Sequence, residues 1–295
     1  MSTIPLPDVF NRKLLFQYLL RSPNEITFRV INETTLVKLF QISERLILCQ
    51  LEFHDSELTL SFKGIEPNLA EKQVIKAYCI SWFDLETDLE AFYKVAEKDS
   101  IINPIIKNQK GLRVVKAPDL FEAISSSIIG QQINLPFAYS CKKALVEKVG
   151  KSISFEGNLH YTFPEPKAIL SIDDETFREM KFSSQKVKYL RIAANEILSG
   201  QLSKNTLEEL PFVAARERLI QLKGIGNWSA NYVLMRSLGF KEAFPLEDVG
   251  LHNALKILLK REKKPSLSEI KEMAKKWQGW EAYVTFYLWQ SLLKT

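Results

Sequence analysis

The chain has 295 residues, 46% of them hydrophobic and 25% charged, the balance of a globular protein with room for two domains and a substantial core. No apolar run approaches the length of a membrane span. Its 3 cysteines, at positions 49, 79 and 141, form no CxxC pair, which argues against a zinc site, a disulfide framework or a four-cysteine iron–sulfur cluster. The net charge of +5 conceals an asymmetry: residues 1–105 hold 11 Lys and Arg against 15 Asp and Glu, whereas residues 106–295 hold 29 against 20. A polyanion partner suits the basic part through salt-sensitive, sequence-independent attraction; a solvated lysine-rich surface is the alternative.

The start, Met1-Ser-Thr-Ile-Pro-Leu-Pro-Asp8, has no basic segment, and Asp8 interrupts the apolar residues on either side of it. No signal peptide is read, and a cytoplasmic protein is expected. Residues 26–31 alternate like a half-buried strand. Residues 45–53 and 57–62 flank His54-Asp55-Ser56 and read as a hairpin. Residues 34–40 fit either a strand or a short helix. Val74, Ile75, Tyr78 and Cys79 have helical spacing within 70–83. Together these features predict an α+β domain with an antiparallel sheet over residues 1–105.

From Asn103-Pro104 the pattern turns helical, and residues 106–295 read as an all-α domain. Asp119 can cap a helix reaching Ile129, and Pro136 lies near the start of another that ends at Gly150. Residues 151–166, bracketed by Gly157, Pro164 and Pro166, read as a loop. Short helices are expected at 167–171 and 173–181, longer ones at 184–198 and 212–222. Helices at 227–238, 249–259, 266–276 and 281–293 complete the domain, the last mainly a packing helix.

The most informative stretch is Leu219-Ile-Gln-Leu-Lys-Gly224-Ile-Gly226-Asn-Trp228-Ser229-Ala230, with Asp248 opening the next helix. A Gly-x-Gly turn between two helices can bring backbone N–H groups and a helix N-terminus against a phosphate. Ile225 would plug between the helices, and Ser229-Ala230 would keep their contact close. A purely structural helix–helix turn is the alternative. Asp248 reads either as a plain N-cap or as a reactive carboxylate. The two roles are compatible, because the helix macrodipole stabilises a negative charge there. Trp228 and Tyr232, four apart, share a helix face. With Trp280 they are either core or a stacking surface for an extruded base. Gly130-Gln131-Gln132-Ile133 ends a helix with two amides, either an exposed loop or a wedge that fills the gap left by such a base. His252, one turn beyond Asp248, reads as a satisfied histidine, and Lys263-Lys264 as a solvated loop.

Leu222-x-Gly-Ile-Gly-x-Trp-Ser-Ala-Asn-Tyr232 followed by Pro245-x-x-Asp248 resembles the helix-hairpin-helix superfamily of DNA glycosylases, with its Gly/Pro-rich loop and Asp. Within that group the chain is most similar to the AlkA-type DNA-3-methyladenine glycosylase II family. The likeness extends to Gly111-Leu-Arg113, Phe121-Glu-Ala, Ile129-Gly-Gln131 and Gly279-Trp280-x-x-Tyr283. It also covers the α+β start, which in that family resembles half of TATA-binding protein.

The resemblance implies that Asp248 is the catalytic acid residue and that Trp228, Tyr232 and Trp280 line the base pocket. It implies DNA contacts from Gly224, Ile225, Gly226, Asn227 and Ser229, and from Gln131 and Gln132. Gln132 holds the inserting position, where the family member has Leu. No cofactor is required, but the backbone carbonyls of Ile220, Leu222 and Ile225 would hold a monovalent cation that bridges to phosphate. Bifunctional relatives have a Lys two residues after the second hairpin glycine. Trp228 stands there, and a tryptophan cannot form a Schiff base. The implied protein is a monomeric, monofunctional enzyme that excises alkylated purines of the 3-methyladenine and 7-methylguanine type from damaged duplex DNA. The alternatives are a non-catalytic helix-hairpin-helix protein that binds damaged DNA, and a glycosylase for oxidised or mismatched bases.

Overall fold

A computed structural model describes residues 2–293. Its first part is a five-stranded antiparallel sheet of β1 (Ser2–Pro5), β2 (Phe28–Val30), β3 (Thr35–Ile42), β4 (Arg45–Phe53) and β5 (Glu57–Lys63), in the order β1-β5-β4-β3-β2. The ambiguous residues 34–40 therefore form a strand. Alternation sorts its side chains: Leu36 and Phe40 of β3 join Ile47, Cys49, Leu51 and Phe53 of β4 in the main core. Val37, Leu39 and Leu48 face the other way. Lys38 lies between them and shares the inward face of Leu36 and Phe40.

Helices α1 (Arg12–Leu19), α2 (Leu69–Trp82), α3 (Leu89–Ala96) and α4 (Asn103–Asn108) accompany the sheet. Then come α5 (Leu120–Gly130), capped by Asp119 as expected, and α6 (Leu135–Val149), capped by Asn134. The expected loop at 151–166 is a correction to the all-α reading, because it contains a hairpin of β6 (Ser152–Phe155) and β7 (Asn158–Tyr161). Ile153 and Phe155 alternate toward the sheet and cover Val37, Leu39 and Leu48. That apolar patch, not the local turn residues, decides the conformation.

The helical half continues with α7 (Pro166–Leu170), α8 (Asp174–Glu179), α9 (Ser184–Leu198), α10 (Lys204–Glu208), α11 (Phe212–Ile220) and α12 (Asn227–Val233). α12 passes into a π-helical turn at Leu234–Leu238, which ends at Gly239. The remaining helices are α13 (Val249–Leu258), α14 (Leu267–Ala274) with a 3₁₀ turn at Lys275–Trp277, and α15 (Glu281–Gln290). α5 packs on α6, α9 and α12. α15 is buried almost all round, as a central helix must be. Its Phe286 meets Tyr18 from α1 at 4.6 Å, and Tyr287 donates to the Leu112 carbonyl at 2.8 Å. One apolar core thus runs through both halves. No helix among the described residues is long and apolar enough to cross a membrane.

Where the halves meet, Lys142 of α6 lies 2.8 Å from both Glu25 and Glu122. Burial alone would raise the Glu25 carboxyl, but the Lys142 ammonium and the Thr27 donors outweigh it and bring it down to about 2. Burial would lower Lys142, yet Glu122 and Glu25 hold it above the usual lysine range. A carboxyl lowered from 4.5 to about 2 adds stability that is present above the higher value and lost as pH falls through the lower. Glu25→Gln is therefore expected to cost about 3 kcal/mol at neutral pH in denaturant titrations. That difference from the wild type should shrink as pH falls below 4.5 and vanish only once pH has passed below about 2. Equal stability at neutral pH would contradict the ion pair's contribution.

Candidate active site

Apolar residues pin the hairpin to the core. α11 buries Ala215 and Leu219, and the turn buries Leu222 and Ile225. The Ile225 N–H donates to the Leu222 carbonyl at 2.9 Å. Gly224 has φ +97°, and a Cβ there would overlap the Tyr189 ring, so only glycine fits. Gly226 faces the opposite situation: no atom lies within 4 Å of its Cβ position, which leaves this side of the turn open. Gly226 is also the N-cap of α12 and offers no side-chain cap. The first-turn N–H groups of Asn227, Trp228 and Ser229 are accordingly open to an outside acceptor.

Gln131, at the end of α5, braces this turn. Its Nε2 donates to the Gly224 carbonyl at 2.8 Å and to the Ser229 hydroxyl at 3.0 Å. Gln132 is exposed and holds φ +57°, a conformation non-glycine residues rarely adopt. Two adjacent amides thus differ in placement, one tied down and one presented to solvent.

Asp248 is the N-cap of α13, and its Oδ1 accepts from the Leu251 N–H at 2.8 Å. It has two further partners. Trp289 Nε1 donates to Oδ1 at 2.7 Å, and Trp228 Nε1 donates to Oδ2 at 3.0 Å. All three groups donate, so the arrangement suits a charged carboxylate and leaves Oδ2 with spare accepting capacity. Three supports set its position. Asn231 donates to the Asn227 carbonyl at 2.9 Å and accepts from the Phe244 N–H at 3.0 Å, which ties α12 to the loop that delivers Asp248. The His252 ring bonds the Leu246 carbonyl at 2.7 Å, a satisfied histidine as expected. Gly250 is the third: a Cβ there would lie 2.9 Å from Asp248 Oδ1 and 3.0 Å from Trp289 Cδ1.

Trp228 stacks on Tyr232, with centroids 5.5 Å apart and planes at 28°. Both line a cavity of about 1100 Å³ together with Asp248 and Trp289. Phe28, Tyr78 and Trp82 line it from the sheet half. The structure does not bring Trp280 there. Trp280 packs on Phe92 and Tyr283, under the Lys241 ammonium at 4.5 Å. Trp289 takes the third aromatic place instead. Sequence reasoning alone misses Trp289, Gly250 and Asn231. Among the described residues, no group of three or more His, Cys, Asp or Glu is placed to hold a metal ion.

Residues 125–279 match the HhH-GPD superfamily of base excision DNA repair proteins, and residues 3–124 match the N-terminal domain of 8-oxoguanine DNA glycosylase. The chain belongs to the HhH-GPD superfamily, and with it to the DNA glycosylases of base excision repair. Over 292 residues it is 37% identical to a DNA-3-methyladenine glycosylase of Bacillus subtilis (strain 168), covering 98% of this chain and 96% of that protein. Its fold superposes on that of a 3-methyladenine DNA-glycosylase from Archaeoglobus fulgidus with a TM-score of 0.83, across 98% and 97% of the two chains at 23% identity. A Schizosaccharomyces pombe 3-methyladenine DNA glycosylase in complex with abasic DNA shares the fold at a TM-score of 0.59 and 24% identity, over 68% of this chain and 96% of that one.

Gly250 provides a test of the carboxylate's placement. Alanine favours helices over glycine by about 1 kcal/mol, yet its methyl would press on Asp248 Oδ1 and the Trp289 indole. Gly250→Ala is expected to slow base release by roughly one to two orders of magnitude, with duplex affinity unchanged. An unaltered rate would show that the carboxylate's position is set elsewhere.

Proposed function

We propose that this enzyme is a monofunctional glycosylase that extrudes an alkylated purine from duplex DNA and hydrolyses its N-glycosidic bond, leaving an abasic site. The observation that supports this reading best is the Asp248 carboxylate, held by three N–H donors at the rim of a cavity lined by stacked Trp228 and Tyr232. The whole-length likeness to a DNA-3-methyladenine glycosylase points the same way. Alkylation at N3 or N7 makes a purine cationic and a ready leaving group. The enzyme's main task is then to stabilise the positive sugar that forms, which a fixed carboxylate does by charge and by orienting water. Cation–π attraction of roughly 1–2 kcal/mol from the aromatic faces favours a charged base about five- to thirtyfold. Such modest selectivity fits a broad range of lesions, sharpened by the lower cost of flipping a poorly paired base.

The remaining roles come from placement. Phosphate would approach the open side of Gly224-Ile225-Gly226 and the N–H groups of Asn227, Trp228 and Ser229. Gln132, exposed beside the cavity, would enter the space the base leaves, and Gln131 would hold the hairpin in position. The carbonyls of Ile220 and Leu222 lie at the negative C-terminal end of α11 and that of Ile225 in the turn that follows, and such neutral oxygens fit a monovalent cation. A cation there would draw in phosphate and take no part in bond breaking. Trp228 fills the place where a lyase would have its lysine, so water would be the nucleophile. We read the working unit as an intracellular monomer, its sheet domain at 1–105 and its helical domain at 106–295.

Release of free bases from methylated duplex DNA, with strand breaks scored before and after alkali, tests this directly. Asparagine caps helices as well as aspartate does, so Asp248→Asn should fold and bind DNA. It should lose release by on the order of a hundredfold or more. Undiminished release would remove Asp248 from the mechanism, and breaks before alkali would contradict the monofunctional reading.

A further inference from the structure

Below the aromatic walls, the cavity is lined by buried charge. Lys142 is neutralised by Glu25 and Glu122. Among the described residues, no carboxylate lies within ion-pair distance of Arg21, Lys38 or Arg236. Arg21 lies 3.8 Å over the Tyr18 ring and donates to the Tyr18 carbonyl at 2.8 Å, which accounts for it. The other two keep N–H donors to spare. Lys38 is 6% exposed; its ammonium lies 5.7, 5.4 and 5.5 Å from the Phe40, Tyr78 and Trp82 ring centroids and makes one hydrogen bond, to the Thr27 carbonyl at 3.2 Å. Arg236 is 5% exposed, with Nη1 donating to the Tyr18 hydroxyl at 2.7 Å and Nε buried without a partner. Arg236 Nε is thus a buried cationic donor without a partner, a costly arrangement, and both side chains line the cavity.

Their placement suggests what they serve. Trp228 and Tyr232 share a face of α12, and Arg236 follows four residues on, in the π-helical turn. The Arg236 guanidinium lies 5.5 Å from the Tyr232 ring centroid, Tyr232 lies 5.5 Å from Trp228, and Trp228 bonds Asp248 at 3.0 Å. Through these contacts a carboxylate and a guanidinium mark opposite ends of one aromatic ladder. A base laid along that ladder, with its sugar at Asp248, turns its far edge toward Arg236.

Resting on the glycosylase reading above, we propose that Arg236, assisted by Lys38, is a leaving-group site whose N–H donors hydrogen-bond the acceptor edge of the departing base. Its share of catalysis grows as the base becomes a poorer leaving group, so a neutral base depends on it more than a cationic one does. When the C1′–N bond breaks, its electron pair stays on the base while a water oxygen bonds C1′. The water's proton finishes on the released base when that base leaves as an anion, and in solvent when it leaves neutral. The fixed charges align with this flow, negative at the sugar and positive at the base. A cationic alkylpurine leaves neutral and gains little from the donors. A neutral 6-oxopurine leaves as an anion, and a charge-assisted bond at O6 or N7 stabilises it as it forms.

The test uses two duplexes, one with 7-methylguanine and one with a neutral 6-oxopurine, deoxyinosine, opposite thymine. Wild type should release both. Arg236→Gln should release the neutral base on the order of a hundredfold more slowly and 7-methylguanine only about threefold more slowly. Equal losses on both duplexes, or none, would overturn the proposal, as would a wild type that releases only 7-methylguanine. A wild type that releases neither base would instead overturn the glycosylase reading itself. Arg236 also bonds Tyr18, so if Arg236→Gln does not fold, Lys38→Gln decides. It should shift the ratio of the two rates in the same direction by about tenfold, and an unshifted ratio would overturn the proposal.

Discussion

Three N–H groups from three elements converge on one carboxylate, and the rest of the site is arranged to let them. Trp228 comes from the helix after the hairpin, Leu251 from the first turn of α13, and Trp289 from the last turn of α15. For these donors to meet at Asp248, the hairpin must turn at Gly224 under Tyr189. Asn231 must hold the Phe244 loop against α12, and α13 must carry glycine at 250 so that indole and carboxylate can touch. A carboxylate fixed in this way needs no reorganisation when positive charge develops beside it, which is where electrostatic catalysis gains most.

The same construction explains why the chain joins a sheet to a helical bundle in one core. The helical half supplies the carboxylate with Trp228, Tyr232 and Trp289, and the sheet half adds Phe28, Tyr78 and Trp82 to the lining. Between them lies the Glu25–Lys142–Glu122 cluster, a buried ionic group that apolar packing could replace without loss of stability. Its position beside the cavity gives the seam a polar lining. The π-helical turn at Leu234–Leu238 fits the same pattern, since it sets where Arg236 lies relative to Tyr232.

Features with a local cause were legible in the sequence. Gly224 marks a turn that few other residues permit, and Asp248 precedes an amphipathic helix as an N-cap does, so their chemistry could be read from neighbours in the chain. Order and type of the larger elements were legible too, through hydrophobic period. Other features depended on distant packing. α15 is apolar on every side, so period could not show that Trp289 faces the carboxylate, while Trp280, equally aromatic, packs on Phe92. Lys38 sits in Leu36-Val-Lys-Leu-Phe40, where inward and outward faces can be told apart only once the segment is known to be a strand. The alternation of Ile153 and Phe155 was masked by Gly157 and the two prolines after it. α1, α3, α4 and α10, with 8, 8, 6 and 5 residues, are too short for a period to emerge.

The central claim is that the protein is built to stabilise positive charge on a sugar beside Asp248. The most direct measurement compares affinity for duplexes carrying a cationic pyrrolidine or a neutral tetrahydrofuran in place of the damaged nucleotide. A carboxylate complementary to the transition state should make wild type bind the cationic analogue at least about a hundredfold more tightly. Asp248→Asn should abolish that preference and keep the affinity for the neutral ring. Equal affinity of the wild type for the two rings would contradict the account.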